Sequence, residues 1–139
     1  MRHVGIVVRD LEPAIRFYQE LLGLVVVQRQ EEAGPYLDAV LGLNNARATT
    51  VKMSAAEGPT LVELLKFHSH PDNRPAAHPY NLGPTHVAFT VDDLRQRYGQ
   101  LKEQGVQFTV PPEPSPDGSL VTFCRDPEGN LIELVEAVA

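Results

Sequence analysis

The chain carries one short segment twice, as HVGIVVRDL at residues 3–11 and as HVAFTVDDL at residues 86–94. The two copies align without a gap and share His, Val, Val, Asp and Leu at the same places. Each copy opens a half of the chain that closes on an apolar run with a central glutamate, LVELL at 61–65 and LIELV at 131–135. The sequence is therefore an internal duplication in which each half supplies one histidine and one glutamate.

Each repeated segment predicts a strand that runs directly into a helix. In residues 3–8 the side chains alternate between two faces, and the histidine shares its face with a glycine. Asp10 follows as a helix N-cap, and apolar residues then recur at helical spacing until Gly23. The rest of the first half is predicted as three strands, at 24–28, 49–53 and 60–67. A turn-rich loop at 29–47 is predicted after the first of these strands.

The second half repeats this order of elements. It is predicted as a strand at 86–91, a helix capped by Asp92 or Asp93 that ends at Gly105, and three further strands. Those strands are placed at 106–110, 120–124 and 131–136, with a proline-rich loop at 111–118. The sequence thus predicts an α+β protein with one domain, 1–139, made of two tandem β-α-β-β-β modules at 1–67 and 85–139 and a polar linker at 68–84.

The alternation of side chains assigns the two histidines and the two glutamates to one face. In each module the large apolar residues then point to the module's helix, and the polar candidates point to the opposite, concave face. Four apolar side chains share that second face and are expected to line a cup, namely Leu61, Leu65, Leu131 and Val135. An apolar wall with a few convergent polar groups is typical of a small-molecule site.

A divalent metal explains the matched set better than four separate structural roles do. A single strand histidine or glutamate is usually structural, but a carboxylate in the middle of LVELL and again in LIELV is costly to bury alone. One ion shared by His3, Glu63, His86 and Glu133 would remove that cost. Two nitrogen and two oxygen ligands suit Ni, Co, Fe, Mn or Zn, and the sequence leaves the choice among these metals open.

The remaining candidates have simpler interpretations. His68, His70 and His78 lie in the linker and are interpreted as surface histidines rather than ligands. Cys124 is the single cysteine of the chain, which excludes an internal disulfide, and it is interpreted as a small apolar strand residue rather than a nucleophile.

Composition narrows the classes of partner. The chain has 139 residues, of which 42% are hydrophobic, and this is enough for one domain with a core. A net charge of −6 without any basic run argues against nucleic acid and anionic membranes as partners, and leaves a small-molecule substrate. There is no signal segment and no apolar stretch of membrane-spanning length, so we expect a soluble, cytoplasmic protein.

These residues resemble the vicinal oxygen chelate superfamily, which includes glyoxalase I, methylmalonyl-CoA epimerase, bleomycin resistance proteins and extradiol dioxygenases. The resemblance spans nearly the whole chain and rests on the following segments: His-Val-x-x-x-Val-x-Asp-Leu at 3–11, Phe17-Tyr18, Leu22-Gly23-Leu24, His-Val at 86–87, and Phe123 followed by Asp-Pro-x-Gly-Asn-x-x-Glu-Leu at 126–134. It implies that the eight strands form an open, curled mixed sheet around the metal, with His3, Glu63, His86 and Glu133 at the family's ligand positions. Family members commonly dimerise, so a homodimer is expected.

The resemblance to glyoxalase I implies a metal-dependent lyase or isomerase that acts on a carbonyl substrate through a metal-stabilised enediolate. Glu133, or Glu63, would be the general base. A non-catalytic, resistance-type binding protein is the alternative, although members of that kind typically lack this ligand set. An extradiol dioxygenase, which uses two His and one carboxylate, fits less well. A two-base epimerase also fits less well, because Thr50 stands at the place of its second base.

Overall fold

Each half of the duplicated sequence builds its own four-stranded sheet. The structure is a computed structural model, and it describes residues 2–56, 58–72, 74, 78–81, 84 and 86–138. The chain divides into two units, Met1–Arg74 and Pro75–Ala139, which we call unit one and unit two. The boundary between them lies inside the predicted linker 68–84, of which residues 73, 75–77, 82 and 83 fall outside the described residues.

Unit one has the predicted β-α-β-β-β order with one additional helix. Its elements are β1 (His3–Val7), α1 (Leu11–Arg16), a π-helical turn (Phe17–Leu21), β2 (Val25–Ala33), α2 (Pro35–Leu41), β3 (Arg47–Ser54) and β4 (Leu61–Phe67). The strand order in the sheet is β1-β4-β3-β2. The first and last strands, β1 and β4, pair in parallel, and the other neighbours are antiparallel.

Unit two repeats this topology. Its elements are β5 (His86–Thr90), α3 (Leu94–Glu103), β6 (Glu113–Pro114), β7 (Leu120–Arg125) and β8 (Leu131–Glu136). The strand order is β5-β8-β7-β6, again with the first and last strands parallel. The α+β class and the module order are confirmed, and the eight strands occur as two open four-stranded sheets.

The prediction of a loop at 29–47 was wrong. Strand β2 continues through the polar run at 28–32, since each of these residues pairs with β3. As the last strand in the sheet order, β2 keeps most of these side chains exposed, so no apolar alternation marks it. Helix α2 then begins with Pro35 in its first turn and ends at Gly42, whose φ of 65° is the left-handed conformation that glycine favours.

The predicted strand at 106–110 was also wrong. Only Phe108 forms a bridge there, opposite Cys124, and the strand that pairs with β7 lies further on, at Glu113–Pro114. Thr109 N–H still donates to the carbonyl of Phe123 at 2.9 Å. The two prolines at 111 and 112 have no N–H to donate, so a continuous ladder cannot run through this segment.

The sheet faces are assigned as the alternation predicted. Leu64 on β4 and both Ile132 and Leu134 on β8 have no exposed surface, and α1 and α3 pack against these two strands. Glu63 and Glu133 therefore belong to the opposite faces of their sheets, because neighbouring residues of a strand point in opposite directions. None of the helices in the described ranges has the length and apolar character needed to cross a membrane.

Cys124 lies in β7 with no exposed surface, as its interpretation as an apolar strand residue requires. Burial raises the pKa of its thiol to about 12, and the negative charge of Asp126 acts in the same direction. The thiol therefore stays protonated at neutral pH, and nucleophilic chemistry at this residue is disfavoured.

We predict that Cys124 of the native protein reacts with a disulfide reagent at pH 8 on the order of 1,000-fold more slowly than in guanidinium chloride, since the thiolate fraction falls with the raised pKa. The measurement is the rate of colour release from an aromatic disulfide, with a Cys124→Ser variant as the blank. Fast stoichiometric labelling of the native protein would contradict the buried position.

Candidate functional site

In unit one, His3 and Glu63 lie side by side on the parallel strands β1 and β4. The register places His3 opposite Leu61 and Gly5 opposite Glu63, so the histidine is one pleat away from the glutamate on the same face. His3 Nε2 lies 3.3 Å from Glu63 Oε2. The glutamate side chain is 12% exposed and the histidine side chain 39% exposed, so the carboxylate is set back behind an accessible ring.

Unit two builds the same pair from its own parallel strands, β5 and β8. His86 is opposite Leu131, Ala88 is opposite Glu133, and His86 Nε2 lies 3.3 Å from Glu133 Oε2. The structure therefore places the four predicted residues in two pairs with the same Nε2–Oε2 distance, one pair within each unit.

A small residue stands directly beside each glutamate. It is glycine at position 5 and alanine at position 88. A Cβ at Gly5 would lie 3.2 Å from Leu65 Cδ1, so a larger side chain there would have to displace its neighbour. In both units the residue beside the glutamate on the parallel strand therefore adds little bulk next to the carboxylate.

The donor atoms of each pair are suited to a divalent metal. Two ligands that are each about 2.1 Å from an ion lie about 3.0–3.4 Å apart, depending on the angle between them. The Nε2–Oε2 distance of 3.3 Å in both units falls in this range. A pair provides two ligands, and among the described residues neither unit gathers three or more His, Cys, Asp or Glu side chains into a metal-binding group.

Lys52 is a site residue that the sequence analysis missed. It lies on β3 directly opposite Glu63, and its Nζ is 3.7 Å from Glu63 Oε1, the oxygen that does not approach His3. The sequence marks Lys52 as the one charged residue in the run Thr49–Met53, but the pairing of β3 with β4 is needed to put it on the face of Glu63.

Unit two has an aromatic ring at the corresponding place. Phe123 on β7 is opposite Glu133 in the register, as Lys52 is opposite Glu63. The Phe123 ring packs edge-on against the ring of His86, with 5.2 Å between the ring centroids. The two units therefore share the His–Glu pair and differ in the neighbour of the glutamate.

The other residues singled out from the sequence lie apart from the pairs. Thr50, at the place of an epimerase base, donates its hydroxyl to Glu32 at 3.1 Å. His70 contacts the Ser69 hydroxyl, and the His78 ring stacks on Tyr80.

His68 belongs to a polar cluster at the far end of the unit-one sheet. Its Nε2 lies 2.6 Å from the Thr49 hydroxyl, which donates to Glu31 at 2.7 Å. An open cavity of about 200 Å³ borders this cluster, with Arg47 on its rim. Neither His3 nor Glu63 lines this cavity.

Comparison with known proteins identifies a matching family, related sequences and a solved structure with a similar fold. A sequence profile of the Glyoxalase/Bleomycin resistance protein/Dioxygenase superfamily matches residues 1–134. The uncharacterized protein YwkD of Bacillus subtilis is 33% identical over 98% of this chain and 95% of its own length. A lactoylglutathione lyase of Neisseria meningitidis is 28% identical over 96% of this chain and 88% of its own. A solved glyoxalase family protein from Bacillus cereus superimposes with a TM-score of 0.91, at 28% identity, and the match covers all of this chain and 94% of that one.

We predict that His3→Ala, Glu63→Gln, His86→Ala and Glu133→Gln each weaken the binding of one divalent ion per chain by at least about tenfold, because each removes a donor atom or its charge. Calorimetric titration of the metal-free protein with Ni²⁺, Co²⁺ or Zn²⁺ measures the affinity and the stoichiometry. His70→Ala is the matched control, since it removes an exposed histidine that contacts the Ser69 hydroxyl and belongs to neither pair. Unchanged affinity in all four variants would refute the assignment.

Proposed function

Because the chain belongs to the Glyoxalase/Bleomycin resistance protein/Dioxygenase superfamily, we propose that it is a divalent-metal-dependent lyase or isomerase of the glyoxalase type that acts on a carbonyl substrate. The observation that carries the proposal is the pair of His–Glu contacts, each 3.3 Å long and built on the same register in both units. The relative named lactoylglutathione lyase supports the type of reaction.

The proposed ligands are His3, Glu63, His86 and Glu133, serving one ion per chain, with Ni, Co, Fe, Mn or Zn as the candidates. The proposal that the two pairs serve the same ion rests on the duplication of the sequence and on the family's ligand positions. When bound, such an ion supplies Lewis-acid stabilisation of the negative charge that develops on a substrate oxygen.

Glu133 is the better of the two candidate bases. In unit one, Glu63 Oε2 faces His3 and its Oε1 faces Lys52, so each of its oxygens has a positively charged or imidazole neighbour. In unit two, Glu133 Oε2 faces His86, and among the described residues no lysine or arginine lies within ion-pair distance of Glu133. Glu133 can therefore keep one oxygen for the histidine side and use the other to accept a proton.

In this mechanism the neighbouring residues orient the proposed ligands, and they exclude water. Phe123 fixes the His86 ring by an edge-on contact. The leucines at 61 and 131 lie beside the histidines in the register and supply apolar surface on the same faces. Glu133 removes the proton from the carbon next to the carbonyl, and delivery of that proton by the same residue to the former carbonyl carbon completes an isomerisation.

We predict that Glu133→Gln loses proton exchange by more than its loss of bound metal explains, because an amide oxygen can still coordinate weakly but accepts no proton. The assay is deuterium wash-in next to the carbonyl of a turned-over substrate at saturating metal, with Glu63→Gln as the matched variant. Normal wash-in by Glu133→Gln would transfer the base role to Glu63. Absence of wash-in by the unmodified protein with every carbonyl substrate tested would favour a non-catalytic binding protein.

We also propose that the protein is a homodimer. Strand β2 is an edge of its sheet in the described chain, and Val25 and Val27 on it are 58% and 55% exposed. Exposed apolar residues at the start of an edge strand are a feature that proteins usually cover. Light scattering at tens of micromolar is expected to give twice the chain mass, and the mass of a single chain would refute the dimer.

A further inference from the structure

Lys52 occupies a position on β3 where a charged side chain has little to gain unless it meets an anion. Its side chain is only 25% exposed, and its nearest acidic atom is Glu63 Oε1 at 3.7 Å, beyond hydrogen-bond distance. On its other side, Gln28 lies opposite Lys52 in the register but donates its amide to Gln30. Among the described residues, Glu63 is thus the one carboxylate within ion-pair distance of Lys52.

If Glu63 binds a metal ion, its carboxylate no longer fully neutralises the positive charge of Lys52. The carboxylate would then be shared between the ion and the ammonium group, and the two cations would repel each other across a few ångströms of partly buried space. With two carboxylates balancing the ion, the ammonium remains as an uncompensated positive charge. A ligand that carries one negative charge restores the balance, and a neutral ligand does not.

Unit two has the same kind of His–Glu pair, but the residue at the place of Lys52 is not a cation. Phe123 stands opposite Glu133 and contacts His86 with its ring edge. A lysine required only to support a His–Glu pair would be needed in both units, yet the unit-two pair has the same 3.3 Å geometry without one. Lys52 is therefore not needed for the geometry of the pair.

We propose that Lys52 selects an anionic chelating substrate, one that presents a carboxylate next to a carbonyl or hydroxyl oxygen, as in 2-oxo and 2-hydroxy acids. The ammonium group pairs with the carboxylate of the substrate and so acts as a specificity-determining residue. This inference rests on the proposed function, because it assumes that Glu63 and Glu133 bind the same metal ion.

The experiment compares Lys52→Met, Lys52→Arg and Lys66→Met with the unmodified protein. Lys66 is the matched control, since it lies on β4 opposite Thr49 and hence on the other face of the same sheet. Two quantities are measured. The first is the affinity of the metal-free protein for Co²⁺. The second is the binding of glycolate and of glycolamide to the Co²⁺-loaded protein, followed by the visible spectrum of the ion. These two probes differ in charge and present the same pair of neighbouring oxygens.

Two opposite changes are expected in Lys52→Met. Co²⁺ binds about tenfold more tightly, since a repelling charge is removed, and the preference for glycolate over glycolamide falls by about tenfold. Lys52→Arg keeps the preference, and Lys66→Met behaves as the unmodified protein in both measurements. A variant that had merely lost structure would bind Co²⁺ more weakly, so the increase separates selection from damage.

An unchanged preference for glycolate in Lys52→Met, with Co²⁺ bound normally, would overturn the inference and leave the metal site standing. Weaker Co²⁺ binding in a folded Lys52→Met protein would also overturn it, because Lys52 would then support the site. If the unmodified protein binds no Co²⁺, the proposed function itself fails, and that result is distinguishable from the other two.

Discussion

The first and last strands of each unit pair in parallel, and this pairing determines the geometry of each His–Glu pair. It fixes a register in which a histidine at the start of one strand meets a glutamate in the middle of the other, one pleat along. Parallel strands require a long crossover, and the intervening helix and strands provide it in both units. The same crossover covers one sheet face with a helix, which leaves the His–Glu face available for chemistry.

Duplication makes two such faces, and subsequent divergence gives them different surroundings. The His–Glu distance is 3.3 Å in both units, but Glu63 has the Lys52 ammonium group nearby and Glu133 has the Phe123 ring opposite it. The equal His–Glu distances suit both glutamates to bind a metal. Their different neighbours suit them to different further roles in the proposed mechanism. In the proposed mechanism, Glu63 serves chiefly as a ligand beside Lys52, and Glu133 also accepts the proton.

The elements that carry the site could be predicted from the sequence because they obey simple local rules. Apolar alternation in LVELL and LIELV sets the buried face, and the two copies of the His-Val segment set the strand that pairs with it. Asp93 was one of two predicted caps for α3, and its carboxylate does accept the N–H of Gln96 at 3.0 Å. In these places local sequence and tertiary packing favour the same conformation.

Prediction failed where tertiary pairing decides the structure. The polar run at 28–32 has no strand signal of its own and is held extended by its pairing with β3. The apolar run at 106–110 has a strand signal, but the prolines at 111 and 112 prevent a continuous ladder. Lys52 was overlooked for a related reason, because its importance comes from the residue opposite it on β4, and the sequence alone does not give that register.

The proposal that both His–Glu pairs serve one ion is tested by counting the imidazoles bound to that ion. X-ray absorption of the protein loaded with Co²⁺ reports the number of histidine rings bound to each ion through their multiple scattering. If both pairs bind the same ion, the measurement will show one ion per chain with two imidazoles and otherwise oxygen ligands. Two ions per chain with one imidazole each would show that the pairs act separately, and an ion with no imidazole would remove both pairs from the site.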